Sequence, residues 1–236
     1  MNSISKRANM GENVKIGEFS VVKDNVKIGD NVIIGNNVII HEGANIGNNV
    51  RIDDNTVIGK QPMRSANSIF KDEEKQDPPI IKDGAIIGTG VIIYAGSEIG
   101  KEVLMADLST IREDSVVGNK TIVGRNVTIE NICKVGSNCK LQTNAYITAY
   151  SEIGDCVFIA PGVITTNDNF VGRSEERFKY HKGITVKKGG RIGANVTTMS
   201  GITIKEDTLV AAGSVVTNDT PPKKIVMGTP AKEHKD

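Results

Sequence analysis

Three histidines stand in this chain of 236 residues, His41, His181 and His234, and they limit the acid–base chemistry it can run. A hydroxyl nucleophile needs a base at neutral pH because its own pKa lies far above 7, and histidine is the usual base. His234 sits in a charged C-terminal stretch and reads as a solvated side chain. His41 falls inside a regular N-terminal run and reads as an exposed corner residue. His181 lies in RSEERFKYHKGI, a stretch that lacks the regularity around it; loops carry function out of proportion to their length, so His181 is the candidate base. An amine nucleophile changes the requirement. With a pKa near that of an α-amino group, about 8, a useful fraction is neutral at pH 7. The site then needs only to hold the amine, aim it at an electrophile and stabilise the developing oxyanion. Cys133 and Cys139 are six residues apart and read as core filler; a tetrahedral zinc site wants further Cys or His nearby, and no metal is expected.

The elements that must position these groups are set by a period of six. From Ile16, every sixth residue through Ile58 is aliphatic: Ile16, Val22, Ile28, Ile34, Ile40, Ile46, Ile52 and Ile58. The residue two before each is small or β-branched, as Val26, Val32 and Ala44 show. The period breaks over 60–79, then runs without a slip from Ile81 to Ile159. It breaks again over roughly 166–184 and returns at Val186, Ile192, Thr198, Ile204, Val210 and Val216. Neither a helix nor a simple strand repeats at six. Six residues make a short strand and a tight corner: positions two apart share a face, and the Gly, Asn and Asp between them tolerate the positive φ of a sharp corner. Three sides close a triangle of 18 residues, and stacked triangles pair as parallel strands about 4.8 Å apart. The expectation is an all-β prism with an Ile/Val core and two extended loops: coils over 11–59, a loop at 60–79, coils over 80–165, a loop at 166–184, coils over 185–218 and a C-terminal cap at 219–236.

This pattern resembles the hexapeptide-repeat acyltransferases, whose fold is a left-handed parallel β-helix, over about residues 14 to 232. The left hand is implied by the resemblance, since parallel crossovers are otherwise right-handed. The family's enzymes are homotrimers with sites in clefts between adjacent prisms. The stretches CKLQTNAYITAYSEIGDCVFIAPGVITTNDNFVGR and TVKKGGRIGANVTTMSGITIKEDTLVAAGSVVTNDTPPKKIVMGTPAK are most similar to the branch that N-acetylates nucleotide-linked amino sugars. The resemblance implies that Asn144, of the QxN stretch, lies beside the reacting amine with Asp168, and that Gln142, Tyr150, Asn167, Asn169 and Arg177 bind the substrate. Acetyl-CoA, or another acyl-CoA, is the implied cosubstrate. It would lie along Ala194, Ser200, Gly201, Ala211, Ala212 and Gly213, where small side chains let pantetheine approach the backbone. Lys205, Lys223, Lys224 and Lys232 would meet its phosphates. Arg64, Lys71, Asp72, Glu73 and Glu74 in the first break would contact a neighbouring subunit or the nucleotide. An O-acetyltransferase with His181 as base is the alternative; a zinc carbonic anhydrase of the same fold would need a histidine cluster, and a purely structural prism would release no thiol.

Composition excludes other classes. Lys+Arg total 29 against Asp+Glu 28, a net charge of +1, so no nucleic-acid or membrane-surface partner is expected. An odd count of three cysteines does not suggest a disulfide framework, and a cytoplasmic location is expected. No apolar run reaches the ~20 residues of a membrane helix, and the N-terminus MNSISKRANMGENV has no signal-like apolar stretch.

Overall fold

A computed structural model describes residues 1–66 and 75–234. Lys71, Asp72, Glu73 and Glu74 lie outside the described residues. The backbone winds through three parallel sheets that form the faces of a prism. Among the described residues, face 1 has 11 strands, from Ser3–Ile4 to Val215–Val216; face 2 has 10, from Asn9–Met10 to Thr203–Ile204; face 3 has 12, from Lys15–Ile16 to Ala231–Glu233. Each strand pairs with the one a coil later, Val21 with Ile39 and Lys27 with Asn45. The pairing interval is 18 residues. It widens to 35 across the first break, Asn45 to Ile80, and to 33 across the second, Glu152 to Thr185. The breaks are therefore corner insertions of 17 and 15 residues; the coils on either side stay in register. This is the architecture of the parallel β-helix expected from the repeat, and of the left-handed form that the resemblance implied.

The six-residue rule becomes burial. Ile40, Ile58, Ile87, Ile111, Ile129, Ile147 and Ile192 are all 0% exposed, and their small partners Val38, Val91, Cys133, Cys139 and Ala145 lie beside them at 1% or less. Burial pushes the Cys133 thiol up to about 12, as expected of core filler. The corners bear out the turn chemistry: Asn25, Asn37, Asn55, Asn126, Asn138 and Asn195 all have φ between +54° and +59°. The coil also extends further than the period alone suggested. Ser3–Ile4 and Asn9–Met10 already pair with the next rung. At the other end Ile225–Gly228 pairs with Leu209–Val210, then folds back as an antiparallel hairpin with Ala231–Glu233 that closes face 3.

Several corners depart from the rule, with positive φ at Phe19, Glu102, Leu108, Lys120, Tyr150 and Cys156 as well as at Ile132. Ile132 holds φ +59°, a left-handed conformation costly for a β-branched residue, while its side chain is 42% exposed and buries little in return. An Ile132→Asn variant is expected to raise the unfolding free energy by ~1 kcal/mol, seen as a higher denaturant midpoint with an unchanged m-value. A lower midpoint would show that the side chain has a packing role.

Candidate active site

The loop at 166–184 leaves the prism at the edge between faces 1 and 2, directly after the strand Ile164–Thr165, and returns at Thr185–Val186. Its return is tight: a Cβ at Gly183 would lie 2.4 Å from the Ser151 nitrogen, so only glycine fits there. Inside the loop the Asp168 carboxylate is the organising group. Its Oδ1 accepts the Phe170 N–H at 2.8 Å; its Oδ2 accepts the Gly172 N–H at 3.0 Å and Arg177 Nη1 at 3.1 Å. His181 Nε2 stands 3.8 Å from the same Oδ2. The Arg177 guanidinium lies over the Phe178 ring at 4.7 Å, Phe178 meets His181 edge-on, and Phe170 stacks on Tyr180. A cleft of about 260 Å³ opens between Asp168, Asn169, Phe170, Arg177 and Tyr180. A short 3-10 turn, Glu175–Lys179, presents the arginine.

The loop is also bonded to the coil that follows it. Ser200 N–H donates to Asn169 Oδ1 at 3.1 Å, Ser200 Oγ donates to the Lys182 carbonyl at 2.9 Å, and the Gly201 N–H donates to the same carbonyl at 3.1 Å. Desolvation works to raise the Asp168 pKa, but the Gly172 and Phe170 amides and the Arg177 guanidinium outweigh it and hold the carboxyl below its ordinary 3.8. A depressed carboxylate contributes its anchoring above the unfolded pKa and loses it as pH falls through the lower folded value. Acidification below about pH 4 is expected to release the loop, read as faster hydrogen exchange at the Phe170 and Gly172 amides. Protection unchanged down to pH 2 would contradict this.

The remaining site residues divide between edges. Gln142 and Asn144 lie between Lys140–Leu141 of face 3 and Tyr146–Ile147 of face 1, at the edge between faces 3 and 1. Ala194, Ala211 and Ala212 occupy the same edge on later rungs. Asn144 has φ +62° and its Oδ1 accepts Asn126 Nδ2 at 2.8 Å, so it is a rung of a corner asparagine ladder. Tyr150, Asn167, Asp168, Asn169, Arg177, His181, Ser200 and Gly201 share the edge between faces 1 and 2. Lys205 is on the third edge, after Thr203–Ile204, and Lys232 is in the closing hairpin of face 3. Within one chain, then, Asn144 and the small residues of its edge are separated from Asp168 and His181 by the width of face 1.

His41 stands apart. Its strand is five steps along face 1 from that of Tyr146, about 24 Å at the strand spacing. Lys23 Nζ lies 3.2 Å from His41 Nδ1. An ammonium can only donate, so Nδ1 accepts and the ring proton is on Nε2; the imidazole is a donor to its surroundings and no base.

One polar cluster escaped the sequence. Glu113, 1% exposed, accepts Arg64 Nη1 at 2.9 Å, Arg112 Nε at 2.8 Å and Arg112 Nη2 at 3.0 Å. Arg112 Nη1 reaches Glu130 at 3.4 Å. Burial, the Glu130 charge and a hydrogen bond to Glu130 push the Tyr146 phenol up to about 12. Arg64 of the first break is thereby docked on the prism. The signal was present in the sequence: Arg112 and Glu130 are 18 residues apart, so they stack on neighbouring rungs as a cross-strand pair. Among the described residues no cluster of three His, Cys, Asp or Glu could hold a metal, and no helix is long and apolar enough to cross a membrane.

The three-sided repeat with its edge loop defines the class: the chain is a parallel β-helix built on a hexapeptide repeat. Residues 7–42 match the bacterial transferase hexapeptide (six repeats), and residues 25–60 and 184–218 match the hexapeptide repeat of succinyl-transferase. Among curated relatives, the bifunctional protein GlmU of Clostridium acetobutylicum is 28% identical over 143 residues, 59% of this chain and 29% of that protein. GlmU of Thermosynechococcus vestitus is 30% identical over 149 residues, 61% and 31%. The chain thus spans under a third of these relatives. Among solved structures, an Arabidopsis UDP-N-acetylglucosamine acyltransferase superposes with a TM-score of 0.64 at 15% identity, over 99% of this chain and 72% of that one. LpxA of Bacteroides fragilis, a UDP-N-acetylglucosamine acyltransferase, gives 0.52 at 20%, over 99% and 72%. These likenesses establish the fold.

Proposed function

We propose that the protein is an acyl-CoA-dependent N-acyltransferase that moves an acetyl group to the amine of a nucleotide-linked amino sugar, in glycan biosynthesis in the bacterial cytoplasm. The observation that carries this is the hydrogen-bonded junction between the Asp168 loop and the Ser200–Gly201 corner: the residues expected to hold the sugar touch those expected to line the acyl donor. The amine nitrogen attacks the thioester carbonyl carbon, the tetrahedral oxyanion collapses, and the coenzyme A thiolate leaves. The proton shed by the nitrogen passes to water or to the thiolate. The UDP-N-acetylglucosamine acyltransferases that this chain resembles in fold support a nucleotide-sugar acceptor.

We further propose a homotrimer. The outward position before each buried residue of face 1 carries no charge on any described strand, from Val21, Ile39 and Val57 to Tyr146, Ile164 and Val215. Faces 2 and 3 hold Lys27, Glu98, Lys134 and Glu152, or Lys15, Arg51, Lys140 and Arg191, in the same place. A neighbour packed on face 1 would border both of its edges, and would set the Asn144 edge of one chain against the Asp168 loop of the next.

The test is thiol release from acetyl-CoA against a panel of nucleotide-linked amino sugars and their hydroxyl counterparts. Release with an amine and none with its hydroxyl counterpart is expected; silence with every amine would overturn the assignment. His181→Ala separates the two chemistries. Direct amine attack predicts a loss of kcat below about a hundredfold, whereas loss of nearly all turnover, as a general base requires, would favour O-acetylation.

A further inference from the structure

We propose that Lys23, His41 and Lys60 form a second binding site, one that takes a phosphate-bearing ligand on the edge between faces 1 and 2 in the N-terminal coils. The site is separate from the acyl-transfer site. Along face 1 the strands Ile39–Ile40 and Ile164–Thr165 are six steps apart, about 29 Å at the strand spacing.

The three residues follow face 1 strands on successive rungs. Lys23 comes after Val21–Val22 and His41 after Ile39–Ile40, and Lys60 ends Val57–Lys60. Their backbones are paired, Lys23 N–H to the Ile40 carbonyl at 3.0 Å and His41 N–H to the Ile58 carbonyl at 2.8 Å. Three basic side chains therefore stand in a row at a pitch of about 4.8 Å. At several other corners the stacking is different. Lys82 pairs with Glu98, Lys101 with Asp83, Lys120 with Glu102 and Arg112 with Glu130. Each of those cations meets an acid on an adjacent rung.

In the Lys23–His41–Lys60 row no acid is interleaved. Asp24 is taken by Arg7 and Ser5, and Glu42 by Lys75 at 3.3 Å. Among the described residues no carboxylate lies within ion-pair distance of Lys23 or Lys60. The Lys60 ammonium has only soft partners, the Tyr94 ring at 5.6 Å and Met63 Sδ at 3.6 Å. Desolvation and then the two lysines hold the His41 pKa below its ordinary 6.5, with no opposing carboxylate. The neutral ring still offers Nε2–H, since Lys23 occupies Nδ1. Gly59 packs against the base of His41: a Cβ there would lie 3.0 Å from the His41 Cβ. Two ammonium groups and one imidazole N–H, stacked on successive rungs without a counter-ion, match the oxygens of a phosphate or diphosphate. An anion there would offset the repulsion from Lys23 and Lys60, which adds to desolvation in lowering the His41 pKa.

The experiment is a titration of the full chain with inorganic pyrophosphate, UDP and coenzyme A, followed by the imidazole carbon-bound proton signals in NMR. His41 is assigned from the His41→Gln spectrum. A saturable shift of the His41 signal and a rise in its pKa are expected. Lys23→Gln and Lys60→Gln should each weaken binding roughly tenfold, the loss of one charge-assisted hydrogen bond, with the fold checked by an unchanged melting curve. Saturation by pyrophosphate as well as by the nucleotides points to the phosphate as the whole determinant; saturation by UDP or coenzyme A alone assigns the site to that ligand's phosphates. No saturable change with any of the three, or the same binding curve in the Lys23→Gln/Lys60→Gln double variant, would overturn the proposal.

Discussion

Replacing Asn144 by glycine is expected to lower kcat/KM for the nucleotide-linked amine roughly a hundredfold, the scale of losing a group that aims the nucleophile. Glycine is the informative substitution. Asn144 holds φ +62°, and the same corner one rung on is Gly162 at φ +71°, so glycine removes the side chain without strain. Alanine would add ~1 kcal/mol of left-handed strain and mix a folding defect into the kinetics. The loss should fall on kcat/KM for the sugar and leave KM for acetyl-CoA in place. An Asn144→Gly enzyme with undiminished kcat/KM would reduce Asn144 to the corner residue that its bond to Asn126 already makes it.

The largest expected effect on stability lies at Glu113. Its carboxylate is buried and bonded by two guanidiniums, and desolvation, which would raise its pKa, is outweighed by Arg112 and Arg64, so the group is held below its ordinary 4.5. Removing one member of a buried ionic cluster strands the others. Glu113→Ala is expected to cost ~3 kcal/mol, measured by urea denaturation, and Glu113→Gln less, because the amide oxygen still accepts. The carboxylate's contribution is present above the unfolded pKa and disappears as pH falls through the lower folded one, so the difference between wild type and Glu113→Gln should shrink in acid. A cost under 1 kcal/mol for Glu113→Ala would mean that Arg64 and Arg112 find other partners.

Much of this molecule was legible in its sequence, because a six-residue period constrains every coil in the same way. Ile16 to Ile58, Ile81 to Ile159 and Val186 to Val216 predicted the inward track, and the asparagines predicted the left-handed corners. Ile132 takes its corner from the phase of the repeat, six residues from both Asn126 and Asn138, although nothing in its type favours one. The site was legible only in part. The stretch TNDN marked the loop, yet that Asp168 spends both oxygens on Phe170, Gly172 and Arg177 depends on a three-dimensional fold-back that spacing does not encode. Nor does proximity in sequence reveal edges: Asn144 and Tyr150 are six apart and lie on opposite sides of face 1. The Arg64–Glu113 contact joins residues 49 apart through an insertion that has no period to follow.

The central claim is that the acyl-transfer site is completed between chains, the Asn144 edge of one against the Asp168 loop of another. The direct test is complementation: Asn144→Gly and His181→Ala chains, each impaired alone, are mixed, unfolded and refolded together, and thiol release is assayed. If the two residues serve one site from different chains, random assortment restores about a quarter of the sites to full wild-type composition, and activity rises above the average of the two variants. Activity that stays at the average of the two variants, in an assembly shown by sedimentation to contain both chains, would place the site within a single prism and contradict the account.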